Sequence, residues 1–216
     1  MIPDYNKAAT KAAETLIRYN VKSSPVSPLQ ILTQMENVAL VSFTDLGAAS
    51  GISKRALVPL FGKNRDAVTS IHIKDGEKIY IVAYDAMLPF NMIQRALARE
   101  MGHIVLKHTD STSESMEEAT TFSHHLLCPR PLIHAIQAAG IRVTLDVLAN
   151  LTGTFDQCLV CMRRMPGTSV PVALNRFVRT QFMPFIINFL EYYQYAMPND
   201  GSALADFGSF MDGYEE

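Results

Sequence analysis

Cysteine is scarce in this sequence, with 3 residues among 216. Cys128, Cys158 and Cys161 form an odd set, and the start of the chain lacks the apolar core of a signal peptide. We therefore expect reduced thiols in a cytoplasmic protein rather than a disulfide framework. Cys158 and Cys161 have Cys-x-x-Cys spacing, but no second pair exists to complete a zinc site. Buried apolar thiols are the favoured interpretation of this pair.

An excess of charge of either sign is also lacking. The chain has 19 Lys and Arg against 21 Asp and Glu, a net charge of −2. No global field draws it toward nucleic acid or an anionic membrane, so direct DNA binding is not favoured. Long hydrophobic runs are absent too. The most apolar stretch, residues 180–190, is interrupted by Pro184 and falls short of the ~20 residues that a membrane helix requires.

The first part of the chain has the pattern of two short helices followed by strands. Apolar residues recur at helical spacing before residue 35, and β-branched and aromatic residues then gather at 38–43, 70–73 and 78–82. Asp75-Gly76 is a turn signal between the last two runs, which predicts a hairpin. The sequence therefore predicts a small antiparallel sheet.

From residue 90 the hydrophobic period becomes helical. Arg95, Arg99 and His103 share one face of this predicted helix, opposite an apolar face. A second helix is predicted to end near residue 127, and Ser115 and Glu118 have the spacing of a capping box at its start. Further helices are expected nearly to the end of the chain.

The segment REMGH, from Arg99 to His103, differs at one position from the HExxH zinc motif. In that motif two histidines four residues apart hold one zinc ion, and the glutamate after the first histidine acts as general base. Glu100 and His103 have the required spacing. Arg99 stands where the first histidine would be.

The sequence around this motif resembles the ImmA/IrrE family of metallopeptidase-fold regulators. ALAREMGHIVLKH followed by EEATTFSHHLLCP is similar to the family pattern AHELGHILLGH followed by EANRFAAELLMP. The resemblance covers roughly residues 8–165 and places Glu118 on the family's third zinc ligand. It implies an α+β, zincin-like fold with a small twisted sheet, an active helix, a ligand helix and a helical C-terminal half. We assign residues 1–165 to this domain and 166–216 to a C-terminal aromatic helix with an acidic tail.

The resemblance also implies a zinc site, and this chain has only some of the residues that would hold the zinc. Family zinc would be held by the first histidine, His103 and Glu118, with Glu100 as general base. Arg99 is always charged and has no lone pair for a metal. At about 4 Å from a divalent ion, its repulsion would be about 8 kcal/mol at an effective dielectric near 20. We expect zinc to be absent or weakly bound, with Arg99 lying between Glu100 and Glu118 and within hydrogen-bonding reach of Glu118.

Two functions follow from the resemblance, which implies a bacterial or mobile-element regulator acting on a helix-turn-helix repressor. The first, favoured by Arg99, is a pseudo-peptidase that binds its protein partner. The second is an active zinc endopeptidase with an altered ligand set, to which His108 and His125 could contribute. Nothing in the sequence indicates an oligomeric state.

Two C-terminal features leave alternatives open. Residues 145–165 could form a helix-turn-helix with Arg163 and Arg164 on phosphates, but without a basic surplus a plain helical hairpin is favoured. The helix expected at 172–197 is rich in aromatic residues, which are interpreted as core with some partner-facing surface. These aromatic residues are Phe177, Phe182, Phe185, Phe189, Tyr192, Tyr193 and Tyr195.

Overall fold

A computed structural model of the chain describes residues 2–53, 56, 66–153 and 167–196. This part is α+β, as the sequence predicts, with helices and one three-stranded sheet. The chain divides into two compact units, Met1–Ala12 with Ser27–Ser123 and Ala13–Val26 with His124–Glu216. The predicted boundary after residue 165 lies outside the described residues, as do the Cys158/Cys161 pair, most of the possible helix-turn-helix and the acidic tail.

The sheet lies in the first unit and contains β1 (Val38–Ser42), β2 (Ala67–Lys74) and β3 (Glu77–Tyr84) in the order β1-β3-β2. β2 and β3 form the predicted antiparallel hairpin, and Asp75 and Gly76 supply its two positive φ angles, 53° and 83°. β1 runs parallel to β3, so the prediction of an antiparallel sheet is wrong for this pair. The reason is the connection: the chain crosses from the end of β1 to the far edge before the hairpin returns it to the centre.

The first unit contains, wholly or in part, the helices α1 (Tyr5–Arg18), α2 (Pro28–Thr33), α3 (Phe43–Ser50), α4 (Phe90–Val105) and α5 (Ser113–Leu127). α1 and α5 start in the first unit and end in the second. α3 was not predicted; it begins because the Ser42 hydroxyl accepts a hydrogen bond from the Asp45 backbone N–H at 3.0 Å.

The start of α5 differs from the predicted capping box. The Thr112 hydroxyl accepts a 3.3 Å hydrogen bond from the Ser115 backbone N–H, and the Ser115 hydroxyl donates to the carbonyls of Asp110 and Thr112. Glu118 takes no part, because its carboxylate contacts groups from elsewhere in the first unit. The spacing of Ser115 and Glu118 alone could not reveal those competing partners.

The second unit contains the ends of α1 and α5 and three further helices, α6 (Arg130–Ala138), α7 (Leu145–Thr152) and α8 (Val172–Ala196). In α8, Val178, Phe182, Ile186 and Leu190 are buried at intervals of four residues. Of the aromatic residues of α8, only Phe182 belongs to this buried series. Three others are exposed: Phe177 by 64%, Tyr192 by 70% and Tyr195 by 89%. The aromatic residues of α8 are thus divided between core and exposed surface, which agrees with the interpretation of core with some surface. None of the described helices is long and apolar enough to cross a membrane.

Candidate functional site

A cavity of about 370 Å³ opens in the first unit where α4 faces the sheet. α4 packs its apolar side against β2 and β3, burying Leu97 and Met101 completely. Its polar residues at the cavity are Arg99, Glu100 and His103. The REMGH segment therefore lines this cavity because the helical period puts its charged and imidazole groups beside the apolar stripe.

His108 joins two of the predicted site residues. Its Nδ1 lies 3.0 Å from Nδ1 of His103, and its Nε2 lies 3.0 Å from Oε2 of Glu118. His108 is reached through a short turn after α4, with Lys107 at a φ of 61°. His103, His108 and Glu118 are thus brought together in one continuous hydrogen-bonded row.

One arrangement of protons satisfies both contacts with neutral imidazoles. An ionised Glu118 accepts from the Nε2–H of His108. The unprotonated Nδ1 of His108 then accepts from the Nδ1–H of His103. This assignment follows from the hydrogen-bond network, in which each imidazole orients the next.

The N-terminal segment holds the other oxygen of Glu118. The backbone N–H of Asp4 donates to Oε1 of Glu118 at 2.8 Å, and the Tyr5 hydroxyl donates to Glu117 on the same helix. The Glu118 side chain is 14% exposed, and each of its carboxylate oxygens accepts a hydrogen bond, one from Asp4 and one from His108. Nothing in the sequence around Asp4 or Tyr5 indicates a role at the site, because the two segments are more than one hundred residues apart.

Arg99 pairs with its neighbour Glu100, with 3.5 Å between Nη2 and Oε1. The prediction that Arg99 lies between Glu100 and Glu118 is correct for Glu100 and wrong for Glu118, which contacts His108 and Asp4 instead.

Glu100 is held from the sheet as well as by Arg99. The Thr69 hydroxyl, on β2, donates to Oε2 of Glu100 at 2.9 Å. The Glu100 side chain is only 9% exposed. The sequence does not single out Thr69, because a threonine in a strand is common. The packing of α4 on β2 is what gives its hydroxyl a partner in Glu100.

The donor atoms do not fit a three-ligand zinc site. His108 directs its two ring nitrogens to opposite sides, one toward His103 and one toward Glu118, so the three side chains do not converge on a point. Arg99 offers no lone pair at the remaining position. Among residues 2–53, 56, 66–153 and 167–196, no group of three or more His, Cys, Asp or Glu side chains could hold a metal ion.

His125 lies in the second unit and does not line the cavity. Its Nε2 is 2.9 Å from the Thr168 hydroxyl. The backbone carbonyl of Thr168 accepts a 2.6 Å hydrogen bond from the Arg130 guanidinium. Burial, followed by the charges of Arg130 and His124, lowers the pKa of His125 from 6.5 to about 4. The contacts of His125 are those of a neutral core residue.

Comparisons with models of protein families, with curated proteins and with solved structures found no match to this chain. The described residues form an α+β fold with a cavity beside α4, and the charged and imidazole groups at this cavity are Arg99, Glu100, His103, His108 and Asp110.

Proposed function

We propose that this chain is a metallopeptidase-like regulatory protein that binds a protein partner without hydrolysing it. Within that class it is a degenerate protein of ImmA/IrrE type with a zincin-like fold, and the partner is a helix-turn-helix repressor. The order of elements supports this proposal: a hairpin, then α4 carrying Glu100 and His103, then α5 carrying Glu118. Each of these residues matches a position of the family motif.

The observation that carries the proposal is the set of contacts that the Glu100 carboxylate makes with Thr69 and Arg99. A general base for hydrolysis must face an activated water with a carboxylate that can take up its proton. Here one oxygen accepts from Thr69 and the other lies beside the Arg99 guanidinium. Arg99 supplies a fixed positive charge but cannot lower the pKa of a bound water as a metal would. The geometry thus supports binding over catalysis.

The second candidate is an active endopeptidase with an altered ligand set. His108 favours it, because this histidine adds an imidazole beside His103 and Glu118. In the present geometry the three groups do not converge on one point. This candidate requires His108 to release either His103 or Glu118.

The deciding experiment uses Glu100→Gln, which keeps the size of the side chain and its hydrogen bond with Thr69 but removes the base. Purified parent and variant are incubated with each helix-turn-helix repressor of the source genome, with and without a chelator. We expect a stable complex with the intact repressor in all four samples, measured by size-exclusion chromatography with intact-mass spectrometry. Repressor fragments that disappear both in Glu100→Gln and with chelator would establish the endopeptidase instead.

A further inference from the structure

Arg99 has hydrogen-bonding capacity that the described residues do not use. A guanidinium carries five N–H donors, yet the one ion pair of Arg99 among these residues is the 3.5 Å approach to Glu100. Charge-assisted hydrogen bonds are normally about 2.7–2.9 Å long, so this contact is loose. Nε of Arg99 is buried and has no hydrogen-bond partner among the described residues. A buried donor without a partner is destabilising, and a ligand that accepts a hydrogen bond from it would remove that cost.

Glu100 cannot move closer to satisfy Arg99 without giving up another contact. Its Oε2 accepts the 2.9 Å hydrogen bond from Thr69, and its side chain is 9% exposed between helix and sheet. Arg99, by contrast, is 28% exposed and lines the cavity. The carboxylate is therefore fixed, and the guanidinium is the member of the pair that can turn toward a ligand.

The cavity has the size and lining of a side-chain pocket. Its volume of about 370 Å³ is within the range of small-molecule sites, about 300–1,000 Å³. Ile71, Ile104 and Met116 provide apolar walls around the polar groups of α4. Such a pocket can bury the methylenes of a ligand and leave its polar end to the guanidinium.

We propose that this cavity binds a carboxylate group, the acidic side chain of a partner protein, through the guanidinium of Arg99. The planar guanidinium matches a carboxylate with two parallel hydrogen bonds, which would use donors that Glu100 leaves unpaired. Glu100 and Asp110, also at the cavity, add negative charge that favours a singly charged carboxylate over a doubly charged phosphate. This inference rests on the proposed function, because it specifies what the partner places in the site.

The test uses small probes with and without the charge. N-acetyl-glutamate methylamide and its glutamine counterpart are titrated into the full chain, and binding is followed by NMR at the backbone amides and at the arginine Nε–H groups. We expect the glutamate probe to bind and to shift the Arg99 Nε–H resonance. Arg99→Gln should weaken this binding at least about tenfold, since a hydrogen bond to a charged group is worth about 1.5–3 kcal/mol.

Arg95→Gln is the matched control, because Arg95 is exposed one turn earlier on α4 and does not line the cavity. Its affinity for the glutamate probe should equal that of the parent. Equal binding of the glutamine probe, equal or tighter binding of inorganic phosphate, or no shift of the Arg99 resonance would each overturn the inference. The resonance is read in the parent protein, so the result does not depend on the folding of Arg99→Gln.

The two proposals can fail separately. An uncleaved repressor complex with no binding of the glutamate probe would retain the proposed function and reject the carboxylate site. Binding of the probe together with metal-dependent repressor fragments would retain the site and reject the pseudo-peptidase.

Discussion

At the scale of single residues, Arg99 has the largest effect on the chemistry of the site. It stands where the family resemblance places a metal ligand, it puts a permanent charge beside Glu100, and its buried Nε has no hydrogen-bond partner among the described residues. Glu118 meanwhile accepts hydrogen bonds from His108 and from the Asp4 backbone. A protein hydrogen-bond network thus occupies groups that the family resemblance assigns to zinc.

Arg99→His is expected to recover zinc binding. The new histidine lies four residues before His103, on the same helical face, and zinc can draw Glu118 away from His108 because metal–ligand bonds outweigh one hydrogen bond. We expect about one zinc per chain by elemental analysis, and a higher melting temperature in the presence of zinc by ligand linkage. Arg95→His, at an exposed position one turn before Arg99 and outside the cavity, should take up no more zinc than the parent. If Arg99→His behaves as this control does, the interpretation of a former zinc site is wrong.

At the scale of elements, the crossing of α4 and α5 brings the two motifs together. A Cβ added at Gly102 would lie 2.9 Å from the backbone oxygen of Ala119 and 3.2 Å from the ring of Phe122. The Ala119 backbone cannot move aside without shifting a helix. Gly102 therefore sets how closely α4 approaches α5.

Gly102→Ala is expected to lower the free energy of unfolding by about 1–3 kcal/mol, as for other overpacked sites. The loss should occur although alanine favours a helix by about 1 kcal/mol. Urea unfolding monitored by circular dichroism measures the change. Gly167→Ala is the control, because a Cβ there meets no atom within 4 Å. An unchanged or more stable Gly102→Ala protein would show that the helices can separate at little cost.

At the scale of the whole molecule, the buried His125 makes stability depend on pH. Its folded pKa, about 4, lies below the ordinary value of 6.5, so the unfolded chain binds the proton more tightly. The contribution of the neutral His125 to the free energy of unfolding is complete above about pH 6.5 and is lost as the pH falls toward 4. This contribution should decrease by about 3 kcal/mol between pH 7 and pH 4.

The effect is measured by urea unfolding of the parent and of His125→Gln across this range. Glutamine does not titrate, and its amide oxygen can still accept from the Thr168 hydroxyl. Carboxylates titrate in both proteins, so their effect cancels in the comparison. The stability advantage of the parent over His125→Gln should shrink as the pH falls, because only the parent carries the His125 imidazole. A constant difference would mean that His125 is not held neutral.

The sequence by itself determined the features that depend on near neighbours. Asp75-Gly76 fixed the β2–β3 hairpin through its turn geometry, and the helical period put Arg99, Glu100 and His103 on α4 beside one cavity. The departure of Arg99 from the HExxH pattern was read from the spacing of REMGH together with the flanking resemblance to the family, because ligand chemistry depends on residue type.

Only the tertiary structure decided which distant groups meet. The parallel pairing of β1 with β3, the hydrogen bond of Thr69 with Glu100 and that of the Asp4 backbone with Glu118 all join segments far apart in the chain. The local hydrophobic period indicates which faces are apolar, but which of these faces pack against each other carries no local sequence signal. For this reason the sequence identified Arg99 as the residue that departs from the HExxH pattern, and only the structure showed that it pairs with Glu100 and not with Glu118.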